Sequence, residues 1–513
     1  MWQIRTSHTS TFFHIFKRHL GGFTKRKFMQ IYDSKARQKL AFKPIKQGKA
    51  RIYVCGPTVY DDAHLGHARS SIAFDLLRRT LMLNDYEVLF VKNITDIDDK
   101  IIKKAHSQGI SIQTLAQTYT DSYLKDMDAL NVLPADITPK ASQNIAQISN
   151  LIQTLLDSSV AYKLENGDIY LSVEKDEKYG SISTRGSQDD ENLARIKNDS
   201  HKKDERDFAL WKSYKGADDE GYESHLGLGR PGWHIECSAM IESSLAYSIE
   251  ESPDFAIDIH GGGADLLFPH HENEASQTRC ATKREIAKYW VHNGFVNING
   301  EKMSKSLGNS FFVKDALKAY SGEVLRNYLL GVHYRAVLHF SEEDLLFSKK
   351  RLDKIYRLKK RVSDFAKAQS SKESSQTLPK TPKNEFCKEM LEAMSDDMNI
   401  SKALSVLEEM LTSANASLDK TPKDKNLKSQ ILQNLAFVEE LLGIGGGDEV
   451  AYFQQGIDEA QKSIIESKIT QRAQAKKDKD FALADALRDE LADMGIALLD
   501  TPQGSVWEKV ETL

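Results

Sequence analysis

The strongest constraint on how this chain can fold is a short apolar strand, Arg51-Ile52-Tyr53-Val54-Cys55, that breaks at Gly56-Pro57-Thr58 and leads into His64-Leu65-Gly66-His67. From His64 onward Leu65, Ala68, Ile72 and Leu76 recur at helical spacing, so the pattern predicts a buried strand, a loop and a helix start. Such a unit opens a parallel α/β sheet. Gly66 lets a ligand come close to the backbone. The helix N-terminus offers unpaired N–H groups and partial positive charge, and two imidazoles one turn apart add donors suited to phosphate. Taken alone, two polar residues at a helix start explain the pattern as well.

A second stretch shifts that balance. Lys302-Met303-Ser304-Lys305-Ser306-Leu307-Gly308-Asn309 carries two lysines and a glycine exit, and it follows the turn-like Asn297-Ile298-Asn299-Gly300. A cationic loop suits a reaction in which charge builds on departing pyrophosphate, because Lys305 then meets that charge only in the transition state. A solvated Lys/Ser loop is the plain reading, and beside the histidine motif it is the weaker one. Together the two stretches describe an ATP site that activates a carboxylate.

At these residues the chain resembles a known family. The two stretches match the two signatures of class I aminoacyl-tRNA synthetases. The longer strings Tyr53 to His67, Asn93-Ile94-Thr95-Asp96-Ile97-Asp98-Asp99-Lys100, Gly232 to Met240, Asp258 to Glu274 and Gly300 to Asn309 are similar to the cysteinyl-tRNA synthetases of bacterial type. The similarity runs in order from Met29 to the C-terminus. It implies ATP-dependent activation of L-cysteine to cysteinyl-adenylate and transfer of the cysteinyl group to the terminal ribose of tRNA(Cys). On that resemblance His64, His67, Lys302 and Lys305 are catalytic and stabilise the phosphates. Gly66 and Ser304 join them in binding ATP, and Mg2+ comes with the ATP. The cysteine carboxylate is already a competent nucleophile, so no general base is assigned.

The four cysteines, at 55, 237, 280 and 387, form no CxxC pair, which disfavours a zinc ribbon or a redox dithiol. A composite metal site stays open. Cys55 ends the first strand, Cys237 lies in Trp233-His234-Ile235-Glu236-Cys237, and His270 and Glu274 stand four apart on one helical face, the spacing two ligands need to converge. From the residues alone, four protein ligands suggest a closed structural zinc site. The resemblance implies instead that the residues matching Cys55, Cys237, His270 and Glu274 hold one Zn2+ per chain that also takes the substrate's thiolate. Zinc binds deprotonated sulfur strongly at neutral pH and a serine hydroxyl poorly. Discrimination of roughly 10⁴ to 10⁵ then needs no editing site. Trp233 walls the amino-acid pocket on the same resemblance, with plain core as the alternative.

His234, His260 and His271 read equally as hydrogen-bonded pocket residues or as replacements for one of the four ligands, and they stay outside the metal set. Asp96, Asp98 and Asp99 read as turn or helix-cap residues before magnesium ligands. Cys280 and Cys387 read as packed or surface thiols. Gly227-Leu228-Gly229-Arg230-Pro231-Gly232 satisfies the dinucleotide-binding spacing, yet no buried strand precedes it and Pro231 stands where a helix would open, so a loop is expected. Gly261-Gly262-Gly263, after the strand-like Phe255 to His260, fits the wall of a nucleotide cleft or a tight turn.

At 513 residues, with 40% hydrophobic and 28% charged side chains, the chain should hold three or more domains. No apolar run approaches a bilayer span, and few unpaired cysteines indicate a reducing compartment. A formal charge of −4 argues against indiscriminate nucleic-acid binding while leaving local basic surfaces open. A cytoplasmic monomer without membrane contact is expected. Residues 1–28 contain no acidic side chain and read as a disordered extension, a transit peptide or a misassigned start ahead of Met29. The expected order beyond them is α/β followed by α: a Rossmann-like parallel-sheet catalytic half (29–140), a connective insertion (141–226), the second catalytic half (227–300), the lysine loop and stem-contact region (301–340), an α-helical bundle (341–445) and a small anticodon-binding domain (446–513). Ser341 with Asp344 looks like a capping box, and 368–384 reads as a linker or long loop.

Near the C-terminus, Phe481, Ala484, Leu487, Leu491 and Met494 repeat on one helical face, downstream of a basic run containing Lys468, Arg472, Lys476, Lys477 and Lys479. On the resemblance this end contacts tRNA, with Arg472 a candidate contact and Trp507 a base-stacking platform or plain core. Two rivals remain. A cysteine ligase of the mycothiol pathway is disfavoured by the anticodon-like C-terminal end, and a non-catalytic RNA-binding paralogue is disfavoured by the intact histidine and lysine motifs.

Overall fold

A computed structural model describes residues 29–183, 202–216, 219–298, 301–302, 311–370, 384–501 and 504–510. The 1–28 extension, residues 371–383 of the expected linker, Ser304 and Lys305 lie outside the described residues. The central sheet has four parallel strands in the order Glu285–Asn293, Phe255–Gly263, Lys49–Val54, Glu87–Lys92. Ile52, Tyr53 and Val54 are wholly buried, as a strand covered on both faces requires. From Lys49–Val54 the chain passes through helix Leu65–Leu83 to Glu87–Lys92 on one side, and Phe255–Gly263 later pairs with the opposite side of the same first strand. The order therefore reverses at Lys49–Val54, which opens a crevice at the carboxyl ends of the two central strands.

The three glycines expected after the strand-like Phe255 to His260 lie inside the strand. A Cβ on Gly261 would stand 2.2 Å from the Phe74 ring. Its absence lets helix Leu65–Leu83 settle onto the sheet, and the strand continues to Gly263.

Between the second and third strands the chain builds an antiparallel sheet of Ala161–Lys163, Ile169–Leu171, Phe208–Ser213 and Gly229–Pro231 around the buried Trp211. Gly229–Pro231 corrects the loop expected there. Three residues of the dinucleotide look-alike form a buried edge strand, and helix Trp233–Ser244 opens directly after Gly232. An edge position asks no outward N–H of Pro231, and an antiparallel strand builds no nucleotide-binding crossover.

Helix Glu342–Ser370 begins where Ser341 Oγ accepts the Asp344 N–H at 3.4 Å, and it runs into the stretch expected as linker. Helices Glu385–Ser395, Ile400–Lys420 and Lys425–Leu442 pack with it, burying Ala403, Leu404, Leu407 and Met410. One hydrophobic core runs unbroken from the catalytic sheet into this bundle. The last unit packs helices Glu459–Lys477 and Phe481–Asp493 against the hairpin Ile496–Thr501 and Gly504–Lys509, with Ile465, Leu491, Ile496 and Trp507 at its centre.

Candidate active site and metal centre

Helix Leu65–Leu83 starts with a reciprocal cap made of two histidines. Gly66 N–H donates to His64 Nδ1 at 3.1 Å, His64 N–H donates to His67 Nδ1 at 3.2 Å, and the two rings stack with centroids 3.8 Å apart. Since both Nδ1 atoms accept, each neutral ring carries its hydrogen on Nε2. The plain reading of His64 and His67, polar residues at a helix start, is met by this cap. The residues that cap the helix also set two parallel N–H donors at its positive end.

The exit of the lysine loop is fastened at the same place. Leu65 N–H donates to Phe311 O at 3.0 Å, Val313 N–H donates to Ala63 O at 2.8 Å, and Lys314 pairs with Asp62. The entry is the strand Glu301–Lys302, paired with Val296–Ile298, so Lys302 lies on a strand and Ser304 and Lys305 follow beyond the described residues.

At the carboxyl end of the first strand, Cys55, Cys237, His270 and Glu274 bring one donor atom each within 4.8 Å of the others. Cys55 Sγ lies 3.9 Å from Cys237 Sγ and 3.5 Å from Glu274 Oε1, and His270 Nε2 lies 2.9 Å from the same oxygen. His270 belongs to the kinked turn Leu267–His271 that precedes helix Glu272–Thr282, so it approaches Glu274 from the turn before the helix. A tetrahedral zinc with bonds of about 2.3 Å to sulfur and about 2.0 to 2.1 Å to nitrogen or oxygen holds its ligand atoms about 3.3 to 3.8 Å apart. The 3.5 Å from Cys55 to Glu274 fits that cage, the 3.9 Å between the sulfurs lies just outside it, and the 2.9 Å from His270 to Glu274 needs to open.

The electrostatics suit the same purpose. Burial opposes charge on Glu274, yet His260 and His270 hold it well below the usual carboxylate range. Against burial, Glu274 and Cys237 raise His270 to about 10. The hydrogen bond from Cys55 lowers the Cys237 thiol to about 6, whereas burial and the Cys237 sulfur push Cys55 well up. Taking up a cation would require Cys55 and His270 to release protons.

A second group, Cys55, His260, His271 and Glu274, satisfies the same distance test. Its histidines also touch the side chains of the first group. His260 Nε2 is 2.7 Å from the other Glu274 oxygen, and His271 Nε2 faces Cys55 Sγ at 3.4 Å. His234 plays the same part for His270, with Nδ1 to Nδ1 at 2.9 Å. Ring nitrogens of ligating histidines are habitually held this way. Burial keeps His234 and His271 well below their ordinary value and lowers His292 to about 3, so these rings are neutral.

Trp233 stacks on His270 with centroids 4.1 Å apart and is 38% exposed, a half-open wall beside the cluster. Asp98 caps helix Asp99–Gln108 through the Lys100 N–H, Asp96 holds Ser142, and Asp99 pairs with Lys212 and Arg230. Trp507 is 2% exposed and donates to Glu466 at 2.7 Å, and the buried Arg472 pairs with Asp500 at 2.9 Å. Of the two readings of Trp507, this packing is that of core.

Sequence reasoning left out His292 and Ser34. His292 lies near the end of strand Glu285–Asn293, alongside His260 and Cys55 at the carboxyl ends of the neighbouring strands. That shared edge is the signal that would have found it.

Comparison with known proteins bears on most of the chain. The family model described as tRNA synthetases class I (C) catalytic domain matches residues 41–350, and the DALR domain model matches residues 389–444. A cysteine–tRNA ligase of Helicobacter hepaticus is 60% identical over 489 residues, covering 94% of this chain and 99% of that protein. A cysteine–tRNA ligase of Helicobacter pylori is 60% identical over 482 residues, covering 94% of this chain and all of that protein. Among solved structures, Mycobacterium tuberculosis methionyl-tRNA synthetase with methionyl-adenylate has a TM-score of 0.54 at 14% identity, covering 77% of this chain and 92% of that one. The leucyl-tRNA synthetase in a ternary complex from Agrobacterium radiobacter K84 has a TM-score of 0.55 at 12% identity, covering 80% and 86%. These two likenesses establish the fold alone.

Proposed function

The chain belongs to the cysteine–tRNA ligase family of class I aminoacyl-tRNA synthetases, and on that premise we propose that it activates L-cysteine with ATP and charges tRNA(Cys), choosing its substrate by sulfur. The observation that carries this reading is the meeting of Cys55, Cys237, His270 and Glu274 at the carboxyl end of the strand that leads into the His64 and His67 cap. Zinc on these four side chains would supply a Lewis acid able to take the substrate thiolate as an added ligand. Trp233 limits the pocket on the side of His270. His64 and His67 present Nε2–H groups to the phosphates of ATP, which arrives with Mg2+. Lys302 and Lys305 meet charge on the leaving pyrophosphate, and Gly66 and Ser304 join them in binding ATP. The adenylate's acyl group then passes to the terminal ribose.

ATP–pyrophosphate exchange should depend on cysteine, with serine poorer by roughly 10⁴ or more, and the cysteinyl group should then appear on tRNA(Cys). Absence of exchange would mark a non-catalytic paralogue, and transfer only to glucosaminyl-inositol would mark a mycothiol-pathway ligase.

The same proposal makes the protein a cytoplasmic monomer. No helix among the described residues is long and apolar enough to cross a membrane. For the anticodon end, the burial of Trp507 and Arg472 shifts the contact to the exposed Lys477 and Lys479 and to Phe481, which is 63% exposed. Phe481→Ala should raise the KM for tRNA about 5- to 150-fold, as loss of one stacked base costs about 1 to 3 kcal/mol, with unchanged thermal stability. Trp507→Ala should lower the melting temperature of the last unit. Equal tRNA KM in the Phe481 variant and wild type would remove Phe481 from the interface.

A further inference from the structure

A single file of hydrogen bonds leads away from the metal centre to the start of the described chain. His271 Nε2 is 3.4 Å from Cys55 Sγ, His271 Nδ1 is 2.8 Å from His292 Nε2, and His292 Nδ1 is 2.8 Å from Ser34 Oγ. The file is held in place. His271 is wholly buried, His292 is 7% exposed, and the Ser34 N–H donates to Trp290 O at 2.8 Å. None of these three side chains is among Cys55, Cys237, His270 and Glu274.

The chemistry of each link fixes the direction of the whole. A metal-bound thiolate only accepts, so His271 Nε2 must carry the hydrogen that faces Cys55. A neutral imidazole has one N–H and one lone pair, so His271 Nδ1 accepts and His292 Nε2 donates. His292 Nδ1 must then accept, and the Ser34 hydroxyl donates. If His271 were itself a ligand, as in the second donor group, its Nε2 lone pair would face the ion and every link would run the other way.

We propose that Ser34 and His292 are positioning residues for substrate choice: they lock His271 in the tautomer that donates to the Cys55 sulfur. An N–H on that sulfur draws electron density away from the ion. The ion is left a stronger Lewis acid for an incoming thiolate. This rests on the reading of Cys55 as a metal ligand.

The test uses the full chain with Co2+ in place of zinc. Wild type should show a thiolate-to-cobalt charge-transfer band, and that band should move in Ser34→Ala and His292→Asn. The zinc proteins should show the KM for cysteine raised about tenfold, within the range for outer-shell changes, with the KM for ATP unchanged. Ser34→Thr, which keeps the hydroxyl, should restore both. Nitrogen-15 spectra of the histidines should find hydrogen on Nε2 of His271 and His292. Loss of the wild-type cobalt band would overturn the ligand set and this inference with it. A normal band that neither variant moves, with an unaltered cysteine KM, would overturn the inference alone, as would hydrogen found on Nδ1 of His292.

Discussion

Cys237→Ser protein is expected to purify with far less than one zinc per chain and to lose cysteine-dependent ATP–pyrophosphate exchange by more than about 100-fold, since even outer-shell changes cost 10- to 100-fold. Cys237 is 1% exposed and its sulfur lies 3.9 Å from Cys55 Sγ, so a serine there keeps the shape and removes the soft donor. Folding should survive, because Cys237 packs among Ala275, Ala287 and other buried residues that do not depend on the ion. Circular dichroism of the variant should match wild type while metal analysis does not. Zinc retention should also weaken as pH falls, because His270, raised to about 10, must release its proton before it can bind. Full zinc content with intact preference for cysteine over serine would remove Cys237 from the ligand set. The group with His260 and His271 would then be the one to test, by His260→Ala.

The histidine signature was legible because strand, break and helical spacing are local patterns, and the structure builds them as a strand, a loop and a capped helix. Its second use, the mutual cap of His64 and His67, needed the i and i+3 spacing and no more. The metal set was legible only through resemblance, since Cys55, Cys237 and the pair His270 and Glu274 lie on elements far apart in the chain. The glycines at 227–232 misled because edge-strand burial is a tertiary fact that composition does not carry. Least legible were long-range polar contacts. Asp397 accepts from Tyr32 N–H at 2.9 Å, Tyr334 hydroxyl at 2.7 Å and Arg335 Nη2 at 2.6 Å, joining the first hairpin to the bundle. No sequence period predicts a partner 365 residues away. Ser34 and His292 escaped for the same reason.

The largest loss of stability is expected from Asp75→Asn, about 3 to 5 kcal/mol, the cost of leaving a buried charge without its partner. Asp75 sits within the helix whose first turn carries His64 and His67, and its side chain is 1% exposed. It accepts from Arg79 Nε at 2.8 Å, from Leu133 N–H at 2.9 Å and from Arg326. Both guanidiniums reach on to the carbonyls that end helix Lys425–Leu442: Arg79 to Glu440 O at 3.0 Å and Arg326 to Leu442 O at 2.7 Å. Gly443 completes the joint, because its φ of +70 suits glycine and a Cβ would stand 2.6 Å from the Arg326 guanidinium. One carboxylate therefore balances two buried cations that tie the active-site helix to the bundle. Burial works against its charge, but Arg326 and Arg79 more than reverse this and hold the Asp75 carboxyl below its ordinary value. A depressed folded-state pKa gives stability that is present above the unfolded value of about 3.9 and is lost as pH falls through the folded one. The gap between wild type and Asp75→Asn in denaturant titration should thus be full at neutral pH, begin to narrow near about pH 4 and close only as pH falls through the lower folded value. Asp75→Leu with Arg326→Met, which removes both sides of one buried pair, should be less harmful than Asp75→Leu alone. A neutral-pH loss under about 1 kcal/mol, or a double variant no better than the single, would mean that these charges do not hold the helix to the bundle.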